Sequence, residues 1–173
     1  EVNQLTNNIV VSTVMSNYGF KQAIEKFNFD LIETPVGDKY VAEAMKKYDA
    51  ALGGEQSGHI IISDQLPVGD GLVTLIYVLK AMQHFGVALS DFKKENLYEY
   101  PQQLTNLELK NKLNDEELEY INQIALDMSI KKDLDGRYLI RNSGTEPLLR
   151  VLVEAKSNEA MEDFSNELIT KIN

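Results

Sequence analysis

Three arginines, Arg137, Arg141 and Arg150, are the only ones among 17 basic residues, and all fall in one short stretch late in the chain. Arg141 and Arg150 flank Asn142-Ser143-Gly144-Thr145-Glu146. Guanidinium groups grip phosphate bidentately and keep their charge at any physiological pH. Ser143 and Thr145 add hydroxyl donors. Gly144 lets the backbone approach an anion closely or fold into an anion-binding nest. Together these residues have the chemistry of a phosphate loop. They also suit a glycine-containing hairpin turn with two incidental strand arginines. The clustering, in a chain otherwise poor in arginine, favours the anion site.

A second group is Gly53-Gly54-Glu55-Gln56-Ser57-Gly58-His59. It follows a strand-like run, where ligands bind in open α/β sheets. It has neither the Lys-Ser/Thr ending of a nucleotide P-loop nor the glycine spacing of a dinucleotide site. Glu55 and Ser57 suit a neutral polyol, with Glu55 accepting hydroxyl protons. His59 offers a donor or a proton-transfer group. Spacing alone favours the plainer alternative, a glycine-rich turn with a solvated Glu and a structural His. In Thr34-Pro35-Val36-Gly37-Asp38-Lys39-Tyr40-Val41, a capped helix start presents Lys39, which suits an anion or simply solvent. Asp133-Leu134-Asp135-Gly136 begins like a calcium loop, but Arg137 stands where an oxygen donor belongs, so a turn is expected. His84 is read as a surface or core-edge residue.

Composition bounds the remaining possibilities. The chain has 173 residues and a formal net charge of -10. Nucleic acid is an unsuitable partner for so acidic a chain, because phosphate backbones need a basic face. The absence of cysteine excludes disulfides and thiolate metal sites. No apolar run approaches the roughly 20 residues of a membrane span. Residues 1–8 lack the basic region of a signal peptide, and a cytoplasmic protein is expected.

The elements that would position these groups fall into two sets. Residues 9–11, 31–32 and 50–52 read as buried strands, and residues 60–62 as a further apolar run. Helices are expected over 18–28, over 38–47 with Asp38 as cap and Val41, Ala44, Met45 and Tyr48 inward, and over 70–85. This order predicts an α/β domain with a mixed sheet and flanking helices over residues 1–90. Residues 91–100 are charged and aperiodic and read as a linker. From residue 101 a strand over 104–109, a helix from Asn114 or Asp115, strands over 137–141 and 148–155, and a helix over 158–172 predict a small α+β domain. Its helices lie on one face of an antiparallel sheet.

Two of the motifs carry a family resemblance. Gly54-Glu-Gln-Ser-Gly-His59 resembles the sugar-binding loop of the α-D-phosphohexomutase superfamily. Arg141-Asn-Ser-Gly-Thr-Glu-Pro147, continuing to Ala155, resembles its phosphate-binding loop. Residues 11–17, 34–41 and 69–72 are similar to the bacterial phosphoglucosamine mutase branch. The resemblance spans the whole chain and implies most of the third and all of the fourth of the family's four domains. It implies that Glu55, Ser57 and His59 bind the sugar. It also implies that Arg141, Asn142, Ser143, Gly144, Thr145 and Arg150 bind phosphate, and that Lys39 and His59 assist near the reacting centre.

The family's phosphoserine loop, its Asp-rich magnesium loop and the opening helix of the third domain have no counterpart here. The expectation is therefore a C-terminal fragment, inactive alone, with magnesium held elsewhere in the longer parent and no metal bound by this chain. Its partners would be a hexosamine phosphate and the missing N-terminal domains. Three alternatives stay open: a stand-alone phosphosugar-binding module, a mutase for glucose or mannose phosphates, and an acidic interaction domain with no ligand.

Overall fold

The computed structural model describes residues 7–172. The chain divides into two compact units, residues 1–98 and 99–173. In the first, β1 (Ile9–Thr13), β2 (Asp30–Thr34), β3 (Leu52–Gly54) and β4 (Ile60–Ile62) form a sheet in the order β2-β1-β3-β4. The first three strands are parallel and β4 pairs antiparallel with β3. Helices α1 (Tyr18–Lys26), α2 (Asp38–Tyr48), α3 (Gly71–Phe85) and α4 (Leu89–Asn96) complete the unit.

The core of this unit lies between α2 and one sheet face. Val11, Val41, Met45, Ala50 and Ile61 are buried together there. Strand β3 lies two residues later than the apolar run 50–52 suggests, and packing explains the shift. A Cβ on Gly53 would meet Met45 Sδ at 2.5 Å and Val41 Cγ1 at 2.9 Å. Only glycine lets α2 lie directly on the central strand at that point. The α2 cap also differs from expectation. Gly37 is the N-cap, at φ +134°, and Asp38 is the first helical residue, bonding only the N–H of Lys39 at 2.7 Å. Tyr48 is exposed rather than inward, with Lys47 Nζ 4.8 Å from its ring centroid.

Residues 91–96, expected as linker, belong to α4. The helix is too short to show a period, but Asp91 sits in its first turn and Lys93 and Lys94 in its last, complementing the helix dipole. Phe92 anchors it by stacking on Phe27, with ring centroids 6.4 Å apart, and by a tilted ring contact with Phe85 at 5.7 Å.

The second unit contains β5 (Gln102–Glu108), α5 (Asp115–Lys131), β6 (Gly136–Asn142), β7 (Leu148–Ala155) and α6 (Asn158–Ile172). Its sheet is antiparallel, as the α+β pattern predicts, and has the order β5-β7-β6. A capping box between Asn114 and Glu117 starts α5. Ile121, Ala125 and Met128 from α5 and Met161, Phe164 and Leu168 from α6 bury the sheet residues Leu149, Val151, Val153 and Ala155. Strand alternation then turns Arg150, Leu152 and Glu154 to the other face of β7.

Candidate functional site

The parallel strands β1, β2 and β3 end at Thr13, Thr34 and Gly54. The loops that follow them converge at their carboxyl ends, the usual ligand position in such sheets. Ser12 and Thr34 tie the three ends together. The Ser12 hydroxyl donates to the Gly54 carbonyl at 3.2 Å, and the Thr34 hydroxyl donates to the Ser12 carbonyl at 3.3 Å.

Beyond β3, Glu55 organises its own loop. Its Oε2 accepts the Gly37 N–H at 3.2 Å, which joins the loop to the start of α2. Its Oε1 accepts the Ser57 hydroxyl at 2.7 Å and lies 3.2 Å from His59 Nδ1. Ser57 Oγ is also 2.9 Å from that nitrogen. Glu55 is therefore nearly buried, with 11% of its side chain exposed, while His59 stands out at 57%. A carboxylate on Nδ1 orients the imidazole and leaves Nε2 for a substrate. Lys39 is well exposed on the first turn of α2, 3.9 Å from Glu43.

The phosphate-type loop connects β6 and β7. Cross-strand register sets Arg137 opposite Glu154, Leu139 opposite Leu152 and Arg141 opposite Arg150. All three arginines thus project from the sheet face opposite the helices, and they are treated differently. Arg137 is bonded to the buried Glu154 carboxylate. Arg141 faces another cation, and burial followed by the charge of Arg150 lowers its pKa. The carboxylate of Glu146 is 4.0 Å from Arg150 and itself largely exposed. Among the described residues, Ser143 Oγ and Arg150 Nε are buried with no hydrogen-bond partner. Buried polar groups are rarely left that way, and an anion between the arginines would satisfy both donors.

Two positions in this loop behave differently from expectation. Both polar atoms of the Asn142 side chain are spent on Leu113: Nδ2 donates to its carbonyl at 2.8 Å and Oδ1 accepts its N–H at 3.2 Å. Asn142 therefore fastens the loop to residues 109–114. Gly144 has a negative φ, so no left-handed nest forms on it, and the space beside its Cα is open. Sequence reasoning missed Lys112, whose Nζ donates to the Gly144 carbonyl at 2.5 Å. Its sequence neighbours carry no motif. Asp135 is engaged structurally, by Tyr100 at 3.1 Å and Lys156 at 3.1 Å. Among the described residues no three His, Asp or Glu side chains are grouped to hold a metal ion.

Comparison with known proteins places the chain in a family. Residues 1–100 match the phosphoglucomutase/phosphomannomutase alpha/beta/alpha domain III, and residues 104–171 match the C-terminal domain of the same proteins. The chain belongs to the phosphoglucomutase/phosphomannomutase family and spans its third and fourth domains. Within that family it is similar to bacterial phosphoglucosamine mutases. It is 42% identical to that of Bacillus subtilis over 96% of this chain and 37% of the relative. It is 43% identical to that of Streptococcus gordonii over 99% of this chain and 38% of the relative. The chain thus spans little more than a third of the length of these relatives. The fold also matches solved structures. One is an N-acetylglucosamine-phosphate mutase in its substrate complex (TM-score 0.77, 21% identity, 98% of this chain and 39% of that one). Another is the Aspergillus fumigatus N-acetylphosphoglucosamine mutase in complex with GlcNAc-6P and magnesium (TM-score 0.76, 20% identity, 95% of this chain and 38% of that one).

Proposed function

We propose that this chain is the sugar- and phosphate-gripping portion of a longer phosphoglucosamine mutase. The parent reaction interconverts glucosamine 6-phosphate and glucosamine 1-phosphate. A phosphoserine gives its phosphoryl group to the free sugar hydroxyl, forming a bisphosphate. The bisphosphate turns around, and its other phosphoryl group returns to the serine. The serine and a magnesium ion belong to parts of the parent outside this chain, so the chain alone has no mutase activity. A cytoplasmic setting suits this metabolic role, and no single described helix is long and apolar enough to cross a membrane.

The observation that carries the reading is the cross-strand pair Arg141–Arg150, with the unpartnered Ser143 Oγ and Arg150 Nε beside it. Such a site binds the phosphate that is not reacting. Fixing that distant group positions the reacting end, which is where phosphoryl transfer gains most of its rate. Gly144 and Thr145 complete the loop with backbone N–H groups and a hydroxyl. Glu55 and Ser57 accept and donate to ring hydroxyls in either orientation of the sugar. His59, steered by Glu55, and Lys39 on α2 serve charge balance and proton transfer near the reacting oxygen.

The bare surface of the first unit supports a longer parent. Helix α3 buries no residue, and Leu72, Leu75, Ile76 and Leu79 are each more than half exposed. The sheet face opposite α2, carrying Val10, Leu52 and Ile60, opens on a hollow of about 310 Å³ edged by Phe20. Apolar area of this kind marks an interaction surface. In this reading the rest of the parent polypeptide covers it.

An NMR titration of the chain tests the function. Inorganic phosphate is expected to shift residues 141–150, and glucosamine 6-phosphate to shift residues 54–59 in addition. Absence of shifts with both ligands would count against a binding site in this chain.

A further inference from the structure

The phosphate-type loop is held from outside by a side chain that lies in no motif. Residues 109–114 connect β5 to α5 and run alongside residues 142–147. The Leu109 N–H donates to the Pro147 carbonyl at 2.9 Å, and Asn142 makes its paired bonds to Leu113. Lys112 completes the seam through its bond to the Gly144 carbonyl at 2.5 Å. Its ammonium meets a carbonyl there, and among the described residues no carboxylate forms an ion pair with it. It lies against the loop that Arg141 and Arg150 flank.

The bond also fixes a peptide plane. The Gly144 carbonyl and the Thr145 N–H lie on opposite edges of one trans peptide. Holding the carbonyl on the Lys112 side turns the Thr145 N–H the other way. A donor fixed in this manner needs no reorganisation when an anion arrives.

We propose that Lys112 is a positioning residue for phosphate binding. It locks the Gly144–Thr145 peptide with its N–H turned towards the anion and adds a third positive charge to the loop. The proposal rests on the reading of residues 141–150 as the phosphate site. It extends that site to the β5–α5 loop, which none of the motifs includes.

The test is calorimetric titration of the 173-residue chain with inorganic phosphate, at low ionic strength. Four forms are compared: wild type, Arg141→Ala, Lys112→Met and Lys112→Arg. Lys112 is exposed, so neither change at this position disturbs a core. Loss of a charge-assisted contact predicts about tenfold weaker binding in Lys112→Met. Lys112→Arg restores most of it, and the Thr145 amide resonance moves in Lys112→Met before ligand is added. Wild-type affinity in Lys112→Met, with binding lost in Arg141→Ala, overturns the role of Lys112 and leaves the phosphate loop standing. Failure of Lys112→Arg to recover affinity also overturns it. Undiminished binding in Arg141→Ala, or none in the wild type, overturns the phosphate-loop reading and this proposal with it.

Discussion

The two glycine-containing loops solve the same problem in opposite ways. In residues 54–59 the polar groups satisfy one another: Glu55 is bonded to Gly37, Ser57 and His59. On the proposed function a sugar would exchange its hydroxyls for bonds that already exist, so the net gain per contact would be small. In residues 141–150 the reverse holds. Two cations face each other, and Ser143 Oγ and Arg150 Nε are buried without partners. An anion there replaces repulsion and orphaned donors with charge-assisted bonds. The difference teaches where affinity and selectivity reside. On the proposed function, residues 141–150 would supply the grip, and residues 54–59 would supply discrimination that is remade when the sugar turns around.

The largest effect should come from converting the satisfied arginine into an unsatisfied one. Glu154→Ala strips the partner from Arg137 and should destabilise the second unit by about 3–5 kcal/mol, read by urea unfolding. A loss below about 1 kcal/mol would mean that the buried pair behaves like a surface one and that the contrast between the arginines is not energetic. Next comes Arg141→Ala. It should weaken glucosamine 6-phosphate binding at least about a hundredfold while leaving unfolding nearly unchanged, because it removes a like-charge neighbour of Arg150. A variant that binds normally breaks the comparison at its stronger side.

Glu55→Ala should weaken the sugar phosphate about tenfold and leave inorganic phosphate untouched. Equal losses for both ligands, measured by the same calorimetry, would erase the division of labour. The exposed helix offers a further contrast. Leu75→Gln with Ile76→Gln should change the stability of this chain by no more than about 0.5 kcal/mol, yet destabilise the longer parent by about 2–4 kcal/mol. A parent as tolerant as the chain would show that nothing covers α3.

The smallest effect concerns pH. The bond from Lys156, then that from Tyr100, lowers the Asp135 pKa below its ordinary 3.8. The stabilisation is complete above that ordinary value and disappears as pH falls through the lowered one. Asp135→Asn should flatten the acid limb of the urea stability curve slightly, since the pair is exposed and screened. An unchanged limb would show that the pair contributes nothing.

Much of the second unit was legible in the residues. The alternation of 104–109, the Asn114 cap and the stripe Leu118-Ile121-Ala125-Met128 are local patterns, and the helices and strands follow them within a residue or two. The first unit was legible in order but not in detail. Strand β3 contains Gly53 because Met45 and Val41 press on it from α2, a contact between residues distant in sequence. Helix α4 was hidden because eight residues are too few for a period and its anchor, Phe92, stacks on a phenylalanine from α1's end. Lys112 was invisible for the same kind of reason, since a lone lysine in a polar loop has no signature until its neighbour across space is known.

The amino-acid sequence by itself determined the two-part α/β and α+β layout, the two loops and the residue types that could meet a sugar and a phosphate. Those features depend on periodicity, capping and composition, which are local. Only the tertiary structure decided which arginine is neutralised and which two are left facing each other. The same is true of Asn142, which fastens the loop instead of lining it, and of Lys112, which reaches Gly144. Register across a sheet and contacts between loops are set by packing of the whole unit, and no short stretch of sequence contains them.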